Sequence, residues 1–145
     1  MLTCGLRTIE VMRADCLDLT TLGDSEILYV QGKGCQEKSE FMRITNQVGM
    51  AIRDYLKEAK IIVKEQEPLF ISLGDNRRGK RLTSNSISRI VKSRLRRAGY
   101  DSQRITAHSL RHTAVTIALL LGATMQETQR FARHKDGKYH IDIFA

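Results

Sequence analysis

Thr106-Ala107-His108-Ser109-Leu110-Arg111-His112-Thr113 opens a helical segment that runs on through Ala118-Leu119-Leu120-Leu121 to Gly122. Thr106 suits the N-cap position, where a side-chain oxygen satisfies a backbone N–H that the first turn leaves over. Residues three apart share a helix face, so His108 and Arg111 project together near the helix N-terminus, where unpaired N–H groups and the dipole favour an anion. Such a pair can hold a phosphate. Read alone, it is equally a salt-bridging arginine beside a half-buried histidine. His108 and His112 stand four apart, as two zinc ligands on one turn would. Ser109, however, sits where a metalloprotease helix carries glutamate, and no third ligand is evident.

Working outward from this helix, the C-terminal half reads as helical. Thr83 caps a segment with Ile87, Ile90, Val91, Leu95 and Ala98 on one face, ended by Gly99. Thr124 with Glu127 three residues on is a capping box for a last helix that closes near His134. Farther back, Val48, Ala51, Ile52, Tyr55, Leu56 and Ala59 recur at helical spacing between Gln47 and Lys60. Glu26–Val30 and Phe41–Ile44 are β-branched and aromatic runs around a glycine-rich tip, a hairpin with a long loop. Leu69-Phe70-Ile71 after Pro68 reads as a third strand, and Gly74 to Arg81 as a polar loop. Arg7 to Met12 fits a helical turn, and Gly23-Asp24 a turn. Tyr29, Tyr55 and Tyr100 fall in strand, helix face and helix end, where packing is their expected role. The resulting class is α+β, mainly α-helical, with a small three-stranded antiparallel sheet packed against a helical core.

Composition narrows the partners. The 145 residues suit one domain with its own core, and 41% hydrophobic with 28% charged residues fits neither a disordered chain nor a membrane protein. No apolar run approaches the roughly 20 residues that span a bilayer. The first residues lack a basic segment followed by an apolar stretch, so a cytoplasmic address is expected. Cys4, Cys16 and Cys35, odd in number and irregular in spacing, read as free thiols, and no metal or cofactor is expected. A net charge of +8 and a pI near 9.7 point to nucleic acid, since clustered lysine and arginine neutralise phosphates. Charge alone does not choose among basic proteins. Lys33, between Gly32 and Gly34 at the hairpin tip, is placed either to reach a ligand or simply to be solvated. No GxxxxGK[ST] sequence supports a nucleotide-binding loop.

Four segments in order are more specific than any one of them. Gly5-Leu6-Arg7-Thr8-Ile9-Glu10, Val30-Gln31-Gly32-Lys33-Gly34, His108-Ser109-Leu110-Arg111-His112-Thr113 and Ala132-Arg133-His134 resemble the motifs of the tyrosine recombinases, the phage-integrase family, over almost the whole chain. The resemblance implies a catalytic-domain fragment over residues 1–145, without upstream helices or the separate DNA-gripping domain. It implies metal-free DNA cleavage and rejoining through a 3′-phosphotyrosyl link, with double-stranded DNA and further recombinase protomers as partners. By motif, Arg7 and Arg111 would clamp the phosphate, Lys33 would protonate the leaving 5′-oxygen, His108 would assist proton transfer, and His134 would bond the phosphate. Glu10 would orient its neighbours.

The nucleophile departs from the pattern. The family places its tyrosine about nine residues beyond the last histidine, which here is Ile143; Tyr139 is the tyrosine that follows His134. Either Tyr139 serves, or the chain is an inactive remnant that only binds DNA. A helix-turn-helix regulator is a further alternative, with Gln126, Gln129 and Arg130 facing the major groove.

Overall fold

The computed structural model describes residues 1–32, 34–61 and 67–133. They run α1 (Thr8–Arg13), β1 (Leu19–Leu22), β2 (Ser25–Val30), β3 (Glu40–Arg43), α2 (Asn46–Glu58), α3 (Ser84–Arg97), α4 (Ala107–Leu120) and α5 (Met125–Phe131), with 3-10 turns at Cys16–Asp18 and Asp75–Arg77.

The sheet is a meander, β1-β2-β3, antiparallel throughout. Leu22 pairs with Ser25, so Gly23-Asp24 is a two-residue hairpin loop, and Gly23 at φ 58° takes the position that such loops reserve for glycine. Tyr29 and Phe41 lie opposite each other with ring centroids 5.9 Å apart, edge to face, which helps to fix the β2–β3 register. The three-stranded antiparallel sheet expected from sequence is present, but its third member is different. Leu69–Ile71 forms no ladder: Pro68 bridges Asp15 and Ile71 bridges Arg81 as isolated pairs, while the Leu69 N–H reaches the Ala14 carbonyl at 2.9 Å. Proline has no N–H to give to a ladder, and Leu69 is fully buried as a core plug instead. The strand that replaces it, Leu19-Thr20-Thr21-Leu22, lacks apolar alternation and is half-exposed to exposed along its length, so it carries little sequence signal.

Helix ends follow their caps. Thr45, Thr83 and Thr124 hydroxyls accept from the N–H of Val48, Ser86 and Glu127 at 3.4, 3.2 and 3.2 Å. At the head of α4 the Ser109 hydroxyl accepts from the Thr106 N–H at 3.0 Å. Gly99 and Gly122, at φ 88° and 93°, turn the chain after α3 and α4. Leu28, Val30, Met42, Ile44, Ile52, Leu69, Leu6, Cys4 and Cys16 form the core between sheet, α2 and the N-terminal segment. Each large side chain buried there is worth about 1.5–3 kcal/mol. The Tyr55 hydroxyl accepts from the Ile71 N–H at 2.9 Å and stacks its ring near Phe70, as its place on the helix stripe suggests. Tyr100 does not pack: it lies exposed just past α3, because Gly99 swings the chain outward. The expected apolar faces are also narrower than drawn, with Ile90, Ala51 and Ala98 exposed and Leu120 and Leu121 at 80% and 83% exposure.

Candidate active site

Helix α1, the start of α4 and the end of α5 bring three parts of the sequence to one place. Arg111 points from α4 into the interior and is 1% exposed. Its Nη1 donates to the Gly5 carbonyl and its Nη2 to the Ala132 carbonyl. A guanidinium is planar with five N–H donors, so two such bonds fix its plane. Gly5 allows this approach because it sits at φ 55°, and a Cβ there would stand 2.9 Å from the Phe131 ring. Arg111 is thus a buried cation oriented in part by two backbone carbonyls.

Arg7, one residue before α1, is more open, with its side chain 24% exposed. Its Nη1 donates to Glu10 Oε1 at 2.9 Å and its Nη2 to the Arg133 carbonyl at 3.2 Å, while its N–H donates to Glu10 Oε2 at 2.7 Å. Glu10 is fully buried on the α1 face. Burial alone would raise its pKa, but hydrogen bonds and charge from Arg133, with those from Arg7, outweigh it and hold the carboxyl below the ordinary glutamate value. It stays ionised and orients its neighbours.

His108 stands on the exposed side of α4, and its Nε2 lies 2.8 Å from Nε2 of His112, with the rings edge to face. Its pKa is lowered, first by desolvation and then by the positive charges of His112, Arg111 and Arg7. Arg7 and Arg111 meet on neighbouring backbone, the Arg133 and Ala132 carbonyls, and their charge lowers the pKa of His108, three residues before Arg111 on α4. At neutral pH the imidazole is the free base, able to take a proton. Lys33, His134 and Tyr139 lie outside the described residues. In the β2–β3 loop the Gly32 carbonyl accepts from Arg13 Nη1 at 3.1 Å, and Lys38 Nζ donates to Asp15 and Asp18 at 2.5 Å each. Arg13, Lys38 and above all Arg133 escaped the sequence reading, because basic residues with irregular spacing carry no signal before their partners are known.

Gln126, Gln129 and Arg130 share a cleft with Ser39, Glu40 and Phe41 of the same chain. Gln126 and Arg130 are exposed there. Among the described residues no helix is long and apolar enough to cross a membrane.

The chain belongs to the phage integrase family, whose model matches residues 1–141. It is 30% identical over 130 residues to the tyrosine recombinase XerC of Leptospira interrogans, covering 90% of this chain and 39% of that protein. Against XerC of Chlamydia trachomatis serovar L2 identity is 33% over 150 residues, covering 96% and 45%. The chain thus spans less than half the length of these curated relatives. The crystal structure of XerA recombinase superposes with a TM-score of 0.75 at 25% identity, over 94% of this chain and 47% of that one. XerH site-specific recombinase bound to difH substrate, a pre-cleavage complex, gives 0.74 at 19% identity, over 94% and 38%, which shows the shared fold.

Proposed function

We propose that this domain carries out site-specific DNA recombination by breaking and rejoining phosphodiester bonds through a 3′-phosphotyrosyl intermediate. The observation that carries the reading is that Arg7 and Arg111, 104 residues apart, bond the adjoining Arg133 and Ala132 carbonyls, with His108 three residues before Arg111 on α4. Family membership and the XerC likeness support it, and one structural relative is a recombinase on its DNA substrate.

The Tyr139 oxygen would attack phosphorus, and the bond from phosphorus to the 5′-oxygen would break. Lys33 would give that oxygen its proton, leaving a free 5′-hydroxyl and the 3′ end on tyrosine. Lysine suits the task because, unlike arginine, it can surrender a proton. His108, held neutral, would accept the tyrosine proton, and His134 would hydrogen-bond the phosphate. Charge on the non-bridging oxygens grows toward the five-coordinate transition state. The forks of Arg7 and Arg111 therefore stabilise it more than the ground state, by about 3 kcal/mol for each donor. A hydroxyl of another strand then reverses the step, and the stored ester removes any need for a nucleotide or metal. Double-stranded DNA and further protomers are the partners of this reading.

A duplex nicked next to the scissile phosphate loses its leaving fragment and so accumulates any covalent adduct. The wild-type chain is expected to form one, Tyr139→Phe to form none, and Arg7→Ala to form it about 100-fold more slowly. Absence of an adduct with the wild-type chain would instead favour a remnant that binds DNA without cutting it.

A further inference from the structure

Arg133 is absorbed by none of the roles above, yet its side chain donates four hydrogen bonds into the site. Its Nη2 donates to Glu10 Oε2 at 2.6 Å and to the Gly5 carbonyl at 3.2 Å, its Nε to Glu10 Oε1 at 3.3 Å, and its Nη1 to the Phe131 carbonyl at 3.1 Å. Its own carbonyl accepts from Arg7 Nη2 at 3.2 Å. Only 5% of the side chain is exposed. Its backbone holds φ at 49°, in the left-handed region that costs a residue with a Cβ, so the surrounding contacts maintain this conformation against a local preference.

Two convergences give these contacts a purpose. Arg133 and Arg111 meet on the Gly5 carbonyl, and Arg133 and Arg7 meet on the Glu10 carboxylate. One carboxylate faces two guanidinium groups, so Glu10 is neutralised by Arg133 while Arg7 keeps charge to spare for an incoming anion. Were Glu10 to pair with Arg7 alone, the two would cancel, and the phosphate clamp would lose one of its jaws. We propose that Arg133 is a positioning residue: it occupies Glu10 and Gly5 together, and so sets both the spacing and the available charge of the Arg7 and Arg111 pair. This rests on the anion-binding reading of that pair.

The test uses the full chain and inorganic phosphate as probe, followed through the Nε–H signals of Arg7 and Arg111 in 15N-labelled protein. Arg133→Gly removes the guanidinium but suits the positive φ, so the chain trace is kept. Phosphate affinity is expected to fall roughly tenfold, as for loss of one charge-assisted contact, and the Glu10 carboxyl, followed by 13C titration, should move up toward the ordinary glutamate value. Arg133→Lys keeps a charge beside Glu10 without the fork, and should recover the low Glu10 titration and part of the affinity. If Arg133→Gly binds phosphate as the parent does while Arg7→Ala loses it, the positioning role is wrong and the anion site stands. If Arg7→Ala and Arg111→Lys also bind as the parent does, the anion site itself is wrong and the proposal goes with it. Should Arg133→Gly fail to fold, Arg133→Lys decides alone: unchanged arginine signals and unchanged affinity overturn the proposal, and a partial loss supports it.

Discussion

Two charge clusters sit a short way apart in this fold and behave differently. Around Asp15, two carboxylates meet two cations: Lys38 bonds Asp15 and Asp18, and Arg81 bonds Asp15 and the Met12 and Ala14 carbonyls, the latter two at 3.0 Å. Around Glu10, one carboxylate meets two guanidinium groups, with Arg111 anchored beside them on backbone carbonyls. The first cluster is balanced and ties the hairpin loop to the segment after α1. In the second, two guanidinium groups share one carboxylate. The balanced cluster serves as scaffold, whereas the two guanidinium groups on one carboxylate suit the anion site proposed above.

The largest contrast between the two should appear in stability. Arg111→Ala takes the Arg111 donor from the Ala132 carbonyl, leaves the Gly5 carbonyl to Arg133 alone and opens a cavity, so about 3 kcal/mol should be lost in denaturant unfolding. Arg81→Ala, whose side chain is 35% exposed, should cost only about 1 kcal/mol. Equal losses would erase the distinction. Next comes acid. A carboxyl with lowered pKa stabilises the fold above its ordinary value, near 4.5 for Glu10, and that stability is lost as pH falls through the folded-state value. Glu10→Gln should therefore lower neutral stability by about 2 kcal/mol and flatten the acid limb, while Asp15→Asn, in the more exposed cluster, should flatten it less.

Smaller again is Gly5→Ala, which meets both the positive φ and the Phe131 ring. It should cost about 1–2 kcal/mol and slow any cleavage by shifting the Gly5 carbonyl under Arg111. The smallest effect is a titration shift. By NMR, His108 should titrate below the ordinary histidine value of 6.5, and Arg7→Ala should raise its midpoint. Lys38→Met, in the balanced cluster, should leave it where it is.

Much of this was legible in the sequence, for identifiable reasons. Thr83, Thr124 and Gly99 mark helix ends because capping and left-handed turns need those residue types locally, whereas His108 and Arg111, expected side by side from helix pitch, lie on the exposed and the buried side of α4. What eluded reading depends on distant partners. Leu19–Leu22 becomes a strand only because β2 offers an edge, and Leu69–Ile71 fails to become one because the Ala14 carbonyl, the Leu82 N–H and the Tyr55 hydroxyl take its backbone groups singly. Arg133 gives no sign of its role until Glu10, 123 residues away, is found beneath it.

The most direct test is a crystal of the chain grown with orthovanadate, which adopts the five-coordinate geometry of a phosphoryl-transfer transition state. The anion is predicted to lie within hydrogen-bonding distance of the Arg7 and Arg111 guanidinium groups and the His108 imidazole, with Glu10 still held by Arg133. Vanadate bound instead at Lys38 and Arg81, or scattered over the arginines of α3 with the Arg7 site empty, would contradict the account.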